Sequence, residues 1–177
     1  MLRKELATKY THLPSEERAL RSQKILAKLL AHSRFSEARI LLCYVARIHE
    51  VETRPLLEEA IRRKKKLFVP RLDSATQKIN MIELRDLRDL SPGSYGILEP
   101  SFDEERLGDP RDLDLVIVPG LGFDRDGGRL GRGGGSFDRF LEEARQAYKI
   151  GLAFECQIVD KIPRAKHDVI MDEVIIG

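Results

Sequence analysis

No charge of one sign dominates this sequence of 177 residues: 31 lysines and arginines face 29 aspartates and glutamates, a formal net charge of +2. That balance argues against a dedicated nucleic-acid binder, which carries a strong basic excess. Cysteine is scarce, limited to Cys43 and Cys156. Two cysteines make neither a disulfide framework nor a zinc pattern, and a reducing compartment is the simpler setting. Long apolar runs are missing as well. The longest, such as Ile40 to Ala46, fall far short of the roughly 18–20 residues that span a bilayer, so no membrane partner is expected. Met1 to Arg21 is charged throughout and lacks the apolar centre of a signal peptide, which points to the cytoplasm. There is no internal repeat and no low-complexity linker.

What is present suits one globular domain over residues 1–177. A hydrophobic fraction of 42% can build a core, and 34% charged residues can cover it. The spacing predicts a short charged helix from Leu2 to Tyr10. A second begins at Leu13-Pro14-Ser15, with Ser15 as its cap and apolar Leu20, Ile25, Leu26, Leu29 and Leu30 behind it. Ile40 to Val45 is a compact apolar run suited to a strand buried on both faces. Pro55 fits the first turn of a helix running to about Arg63. Leu67 to Pro70 and Ile79 to Leu84 read as further strands. Ser91 to Pro110, rich in proline, glycine and acids, reads as a surface excursion. Leu113 to Pro119 is the clearest buried strand, followed by loop until Ser136 and a helix from about Phe137 to Ala147. Tyr148 to Phe154 and Val169 to Ile175 read as the last two strands. Strands alternating with helices predict an α/β fold with a mostly parallel sheet flanked by helices in three layers, Rossmann-like.

Eight of the thirteen glycines fall between Gly120 and Gly135. Glycine permits positive φ and lets a backbone approach a ligand closely. The segment follows a predicted central strand and precedes a helix, where ligands sit in open α/β sheets. Free amides at the helix start favour a phosphate. Arg129 and Arg132 add planar donors for its oxygens. Asp138, in the first helical turn, can stabilise the helix dipole or reach Mg²⁺, which takes one or two carboxylates besides phosphate oxygens and water. Neither G-x-x-x-x-G-K-[ST] nor G-x-G-x-x-G is present. No Ser/His/Asp or Cys/His arrangement stands out.

Val118-Pro119-Gly120-Leu121-Gly122-Phe123-Asp124, with Arg129-Leu130-Gly131-Arg132-Gly133-Gly134-Gly135-Ser136-Phe137-Asp138-Arg139, resembles the signature of the 5-formyltetrahydrofolate cyclo-ligase family. The resemblance extends to Leu2-Arg3, to Leu13 through Arg18, and to Glu50-Val51-Glu52-Thr53-Arg54-Pro55-Leu56. It continues in Tyr95-Gly96-Ile97-Leu98-Glu99-Pro100, Gly151 through Gln157 and His167-Asp168-Val169. It implies a NagB/RpiA/CoA-transferase-like fold. It also implies an enzyme that turns 5-formyltetrahydrofolate and ATP into 5,10-methenyltetrahydrofolate, ADP and phosphate, through a phosphorylated formyl intermediate. Carried over by position, Arg3 would help hold ATP, and Arg129, Leu130, Gly131, Arg132, Gly133, Gly134, Gly135, Ser136 and Phe137 would wrap its phosphates. Arg132 through Ser136 would also line the folate, with Glu52 and Arg47 contacting it. Asp138 and Asp168 would bind Mg²⁺, and Arg132 and Asp138 would carry the catalysis. The expected partner is the small-molecule folate, polyglutamylated or not, bound by a monomer.

The sequence departs from the family pattern at Ser136 and Phe137, where two tyrosines are usual, and at Glu52, where aspartate is common. Two other readings stay open. One is an ATP-dependent ligase or kinase on a different small carboxylate substrate. The other is a non-catalytic nucleotide- or RNA-binding relative, to which the run Arg62-Arg63-Lys64-Lys65-Lys66 would lend a basic patch. That run lies at a predicted helix end, where cations favour the dipole and a solvated face explains them.

Overall fold

The computed structural model describes residues 2–93, 96–165 and 168–177. Tyr95 and His167, both within the resembling segments, lie outside the described residues. The chain runs α1 (Leu2–Thr11), α2 (Ser15–Leu30), α3 (Ser33–Glu37), β1 (Ile40–Cys43), α4 (Arg54–Arg62), β2 (Lys66–Leu72), β3 (Ile79–Glu83), β4 (Leu90–Pro92) and β5 (Leu98–Pro100). It continues through β6 (Leu115–Val118), β7 (Gly122–Asp124), β8 (Arg129–Leu130), α5 (Ser136–Glu143), β9 (Tyr148–Ala153), β10 (Ile158–Val159) and β11 (Glu173–Ile176).

Six strands form the main sheet in the order β11-β9-β6-β1-β2-β3. All neighbours are parallel except β3, which returns antiparallel along β2. The alternation of side chains along each strand sorts the core into two halves. Leu41, Cys43, Leu67, Val69, Leu115, Ile117, Ile150 and Leu152 pack with α2, α3 and α4 on one face. Leu42, Phe68, Val116, Val118 and Ala153 pack with Phe140 and Leu141 of α5 on the other. Each fully enclosed aliphatic side chain stabilises by about 1.5–3 kcal/mol. The inner strands carry such residues on both faces, which explains their continuous apolar runs. The result is the expected α/β fold, a mostly parallel sheet between helices.

Several local expectations are corrected. The stretch from Gly120 to Ser136 is not all loop, because β7 and β8 pair antiparallel and β10 joins β7 in a small three-stranded sheet. Helix α2 has Pro14 at its cap position, and Ser15 makes no capping bond. Helix α5 ends at Glu143, not Ala147. The Lys149 ammonium takes the carbonyls of Arg145 and Ala147 instead, and the Gln146 amide reaches back to Pro110 and Leu113. The last strand starts at Glu173, since Met171 donates its amide to Gly127 in the small sheet and Asp172 accepts one from Lys149. Within Ser91 to Pro110, β4 and β5 form a hairpin that buries Glu99 and Pro100.

The basic run is absorbed structurally. Arg62 and Arg63 both pair with Glu59, and Lys65 donates to the carbonyls of Ser36 and Ala38 at the end of α3. Among the described residues no helix is long and apolar enough to cross a membrane.

Candidate active site

From β1 the chain steps outward to β2 and β3, then returns to β6 on the other side of β1 and steps outward again. The connections leaving β1 and β6 therefore diverge at their carboxyl ends, the crevice that ligands use in open α/β sheets. A cleft of about 1080 Å³ opens there. Tyr44, Val45, Arg47 and Glu50 reach it after β1, and Pro119 and Gly120 after β6.

One wall is the turn from β8 into α5. Gly133 has φ 112° and Gly135 φ 65°, the left-handed region in which a side chain is strained. Gly135 occupies the cap position of α5 and brings no side-chain acceptor, so the first amides of the helix are uncapped by a side chain. The turn is stapled from outside. Arg139 donates to the Gly134 carbonyl at 3.1 Å, to Gln77 in the β2–β3 turn at 3.2 Å and to the Ser136 hydroxyl at 3.3 Å. Arg3, carried by α1, donates to the Gly131 carbonyl at 3.2 Å.

Two ion pairs organise the charges. Arg132 meets the Glu50 carboxylate at 3.0 Å, bridging the glycine turn and the segment after β1. The other Glu50 oxygen accepts from the Arg47 amide at 3.0 Å. Arg129 meets Asp138 at 2.8 Å and also donates to the Pro119 carbonyl at 3.2 Å. Its guanidinium lies 5.8 Å from the Phe137 ring centre, and its Nε is enclosed without a hydrogen bond.

Of the residues expected at the site, Arg3, Arg47, all of Arg129 through Asp138, and Asp168 line this cleft. Arg129 departs from expectation in its side chain: two of its donor groups are engaged by Pro119 and Asp138 rather than left to a ligand. Glu52 is not brought in. It is exposed and accepts the Arg54 amide at 2.9 Å at the start of α4. Glu50 closes the turn after β1 with its amide on the Arg47 carbonyl, and beyond it the chain alternates, with Val51 and Thr53 inward and Glu52 outward. Val51 and Thr53 are buried, with the Thr53 hydroxyl on the Tyr44 carbonyl, while Glu50 turns to the cleft. Glu50, two residues earlier, is the acid of this segment that lines the cleft.

Asp138 and Asp168 share the cleft, and Asp168 accepts the Ala165 amide at 2.6 Å. No group of three metal-ligating side chains occurs among the described residues. Two carboxylates lining one cleft fit the protein share of the donor set of Mg²⁺, which takes one or two carboxylates and completes its shell with phosphate oxygens and water.

Sequence reasoning missed Glu50, Glu99 and Asp124. Glu99 lines the cleft from β5. Asp124 is fully buried and accepts amides from Gly128 at 2.6 Å, Asp126 at 3.0 Å and Ile162 at 2.9 Å, plus the Arg164 guanidinium at 2.9 Å. It ties the β7–β8 hairpin to the segment that brings Pro163, Arg164 and Ala165 to the cleft. Burial pushes its carboxyl pKa up, yet the Ile162 and Gly128 amides and Arg164 outweigh that and hold it below the ordinary value. The distant donors lie 38 and 40 residues away, which no local pattern signals.

The sequence model of the 5-formyltetrahydrofolate cyclo-ligase family matches residues 1–177. The 5-formyltetrahydrofolate cyclo-ligase of Mus musculus is 33% identical over 185 residues, covering 98% of this chain and 91% of that protein. That of Escherichia coli K12 is 28% identical over 167 residues, covering 92% and 91%. The NMR structure of the 5,10-methenyltetrahydrofolate synthetase of Aquifex aeolicus superposes with a TM-score of 0.83 at 31% identity, over 99% of this chain and 90% of that one. The 5,10-methenyltetrahydrofolate synthetase of Mycoplasma pneumoniae superposes with a TM-score of 0.78 at 26% identity, over 98% and 95%.

Proposed function

The chain belongs to the 5-formyltetrahydrofolate cyclo-ligase family, ligases of one-carbon folate metabolism, and on that premise we propose that it forms 5,10-methenyltetrahydrofolate from 5-formyltetrahydrofolate in this cleft, with ATP as co-substrate. The observation that carries the reading is the glycine turn and uncapped start of α5 facing the Glu50–Arg132 pair in one cleft.

The formyl group is an amide whose oxygen is a poor leaving group. Transfer of the terminal phosphoryl of ATP to that oxygen forms an O–P bond, breaks the bond to ADP and makes the oxygen part of a leaving phosphate. The neighbouring folate nitrogen N10 then attacks the formyl carbon, loses its proton and expels phosphate. Such a transfer needs alignment and charge neutralisation more than a protein nucleophile. Amides at the α5 start and the Arg132 guanidinium suit the phosphoryl oxygens, with Glu50 holding Arg132 in register. Arg3 adds a cation from α1 beside the Gly131 carbonyl. Asp138, steadied by Arg129, and Asp168 would hold Mg²⁺, whose bound charge neutralises the phosphates. All of these groups lie in residues 1–177, which we take to act as one unit and as a monomer. Two free cysteines and no membrane-spanning helix among the described residues fit a cytoplasmic setting.

The test is appearance of methenyltetrahydrofolate absorbance when the chain is given 5-formyltetrahydrofolate, ATP and Mg²⁺. Turnover dependent on all three supports the reading. ATP consumption without methenyl product would point to another acceptor, and nucleotide binding with no turnover to a non-catalytic relative.

A further inference from the structure

We propose that Glu99 reads the donor edge of the pterin ring and so sets which planar ligand enters its part of the cleft; this rests on the folate reading above. Glu99 sits on β5, lines the cleft and is 3% exposed. Its carboxylate takes no hydrogen bond from a described residue, whereas Glu50, Asp124, Asp138 and Asp168 each accept at least one. Its oxygens keep contact with the solvent of the cleft, and a ligand with donors on its edge would take the place of that water.

The β4–β5 hairpin makes room for this acid. A Cβ added at Gly93 would lie 2.5 Å from the Glu99 Oε2 atom, so a residue with a side chain there would displace the carboxylate. Pro70, Leu72, Ile79 and Ile97 line the same cleft, giving apolar surface for a ring face. One acid and an apolar wall call for a flat, uncharged ring with donors on its edge, and the acid repels a triphosphate.

The 2-amino-4-oxo pterin has that edge. Its N3–H and 2-amino group are adjacent donors, and two carboxylate oxygens accept them side by side, a charge-assisted bidentate arrangement. The adenine edge places an amino donor beside a ring-nitrogen acceptor, which would face one carboxylate oxygen lone pair to lone pair. Glu99 thus favours pterin over adenine, a specificity built partly on repulsion.

The test is calorimetric binding of 5-formyltetrahydrofolate, its 2-desamino analogue and a non-hydrolysable ATP analogue to the wild-type chain, Glu99→Leu and Glu99→Gln. Loss of charged hydrogen bonds should weaken 5-formyltetrahydrofolate about tenfold or more in Glu99→Leu, and by less in Glu99→Gln. The 2-desamino analogue keeps N3–H but lacks the amino donor, so Glu99→Leu should weaken it by less than it weakens 5-formyltetrahydrofolate, and the ATP analogue should be unaffected. Leucine replaces an unmatched acid with an apolar side chain of similar reach, so thermal melting should show a folded variant; if it does not, the glutamine variant carries the comparison. Equal losses for both folates, a loss confined to the ATP analogue, or no loss at all would each overturn the assignment of Glu99. A wild-type chain that binds no 5-formyltetrahydrofolate would overturn the folate reading with it, a result distinct from those three.

Discussion

The Arg129 guanidinium lies 2.8 Å from the Asp138 carboxylate, with side-chain exposures of 4% and 19%. This pair fixes the first turn of α5 against the strand that enters the glycine turn. Replacing Arg129 by Met strands Asp138 and frees the Pro119 carbonyl. Denaturant unfolding should show a loss of about 2–3 kcal/mol, near the low end for a broken buried pair because water can reach Asp138. Asp138→Asn keeps an oxygen for Arg129 and should cost less stability, yet it should lower turnover at least about tenfold and raise the Mg²⁺ concentration for half-maximal rate. Unchanged magnesium dependence in Asp138→Asn would remove that residue from the metal site.

Glu50 and Glu52 provide a direct contrast. Glu50 holds Arg132 in the cleft, and Glu52 only meets the Arg54 amide outside it. Glu50→Gln should therefore reduce kcat/KM for the folate at least about tenfold, the scale of losing a charge-assisted contact. Glu52→Gln should stay within about twofold. A larger loss at Glu52 than at Glu50 would restore the assignment drawn from sequence position alone.

Asp124 predicts a pH signature. Its pKa is depressed in the folded chain, so its contribution is present above the ordinary aspartate pKa of about 3.9 and is lost as pH falls through the lower folded value. Asp124→Asn sets an amide –NH₂ against either the Gly128 or the Ile162 donor and should destabilise the protein at neutral pH. The stability gap between wild type and variant should be flat from about pH 5 upward and shrink below that range. A gap that widened on acidification would contradict the sign of the shift.

The legible parts of this molecule were those in which one residue decides for itself. Leu41 to Cys43 and Leu115 to Val118 are apolar on both faces because both faces are covered, and that is written in a run of adjacent residues. The cluster of glycines announced a tight turn, and Gly133 and Gly135 take its positive φ. Glu50 against Glu52 was illegible because a turn comes between them: Glu50 closes the turn on the Arg47 carbonyl, whereas Glu52 lies in the extended segment beyond it, whose setting is fixed by Thr53 reaching the Tyr44 carbonyl. Strands β7 and β8 are three and two residues long, with glycine and charge inside them. They pair because Asp124 gathers amides from their turn and from Ile162. Glu99 looked like part of a polar excursion, since its burial depends on a hairpin whose pairing no periodicity marks.

Arg3 reaches the cleft through Leu6, which leads to the last prediction. Among the described side chains of α1, Leu6 is the one that is fully buried, against Leu130 and Ile162. It fits because Gly122 has no side chain: a Cβ there would lie 2.5 Å from Leu6 Cδ1. A ten-residue helix is marginal on its own in water, so this contact decides whether α1 stays docked. Leu6→Ala should then detach α1 before the sheet unfolds, stripping hydrogen-exchange protection from its amides while those of β1 and β6 keep theirs. Arg3→Ala should leave that protection intact. Both substitutions should raise the KM for ATP, by roughly tenfold, with a smaller effect on kcat, and the double variant should be little worse than either one because they disable the same contact. Additive losses would mean that Leu6 and Arg3 act separately, and that α1 is more than a mount for one guanidinium.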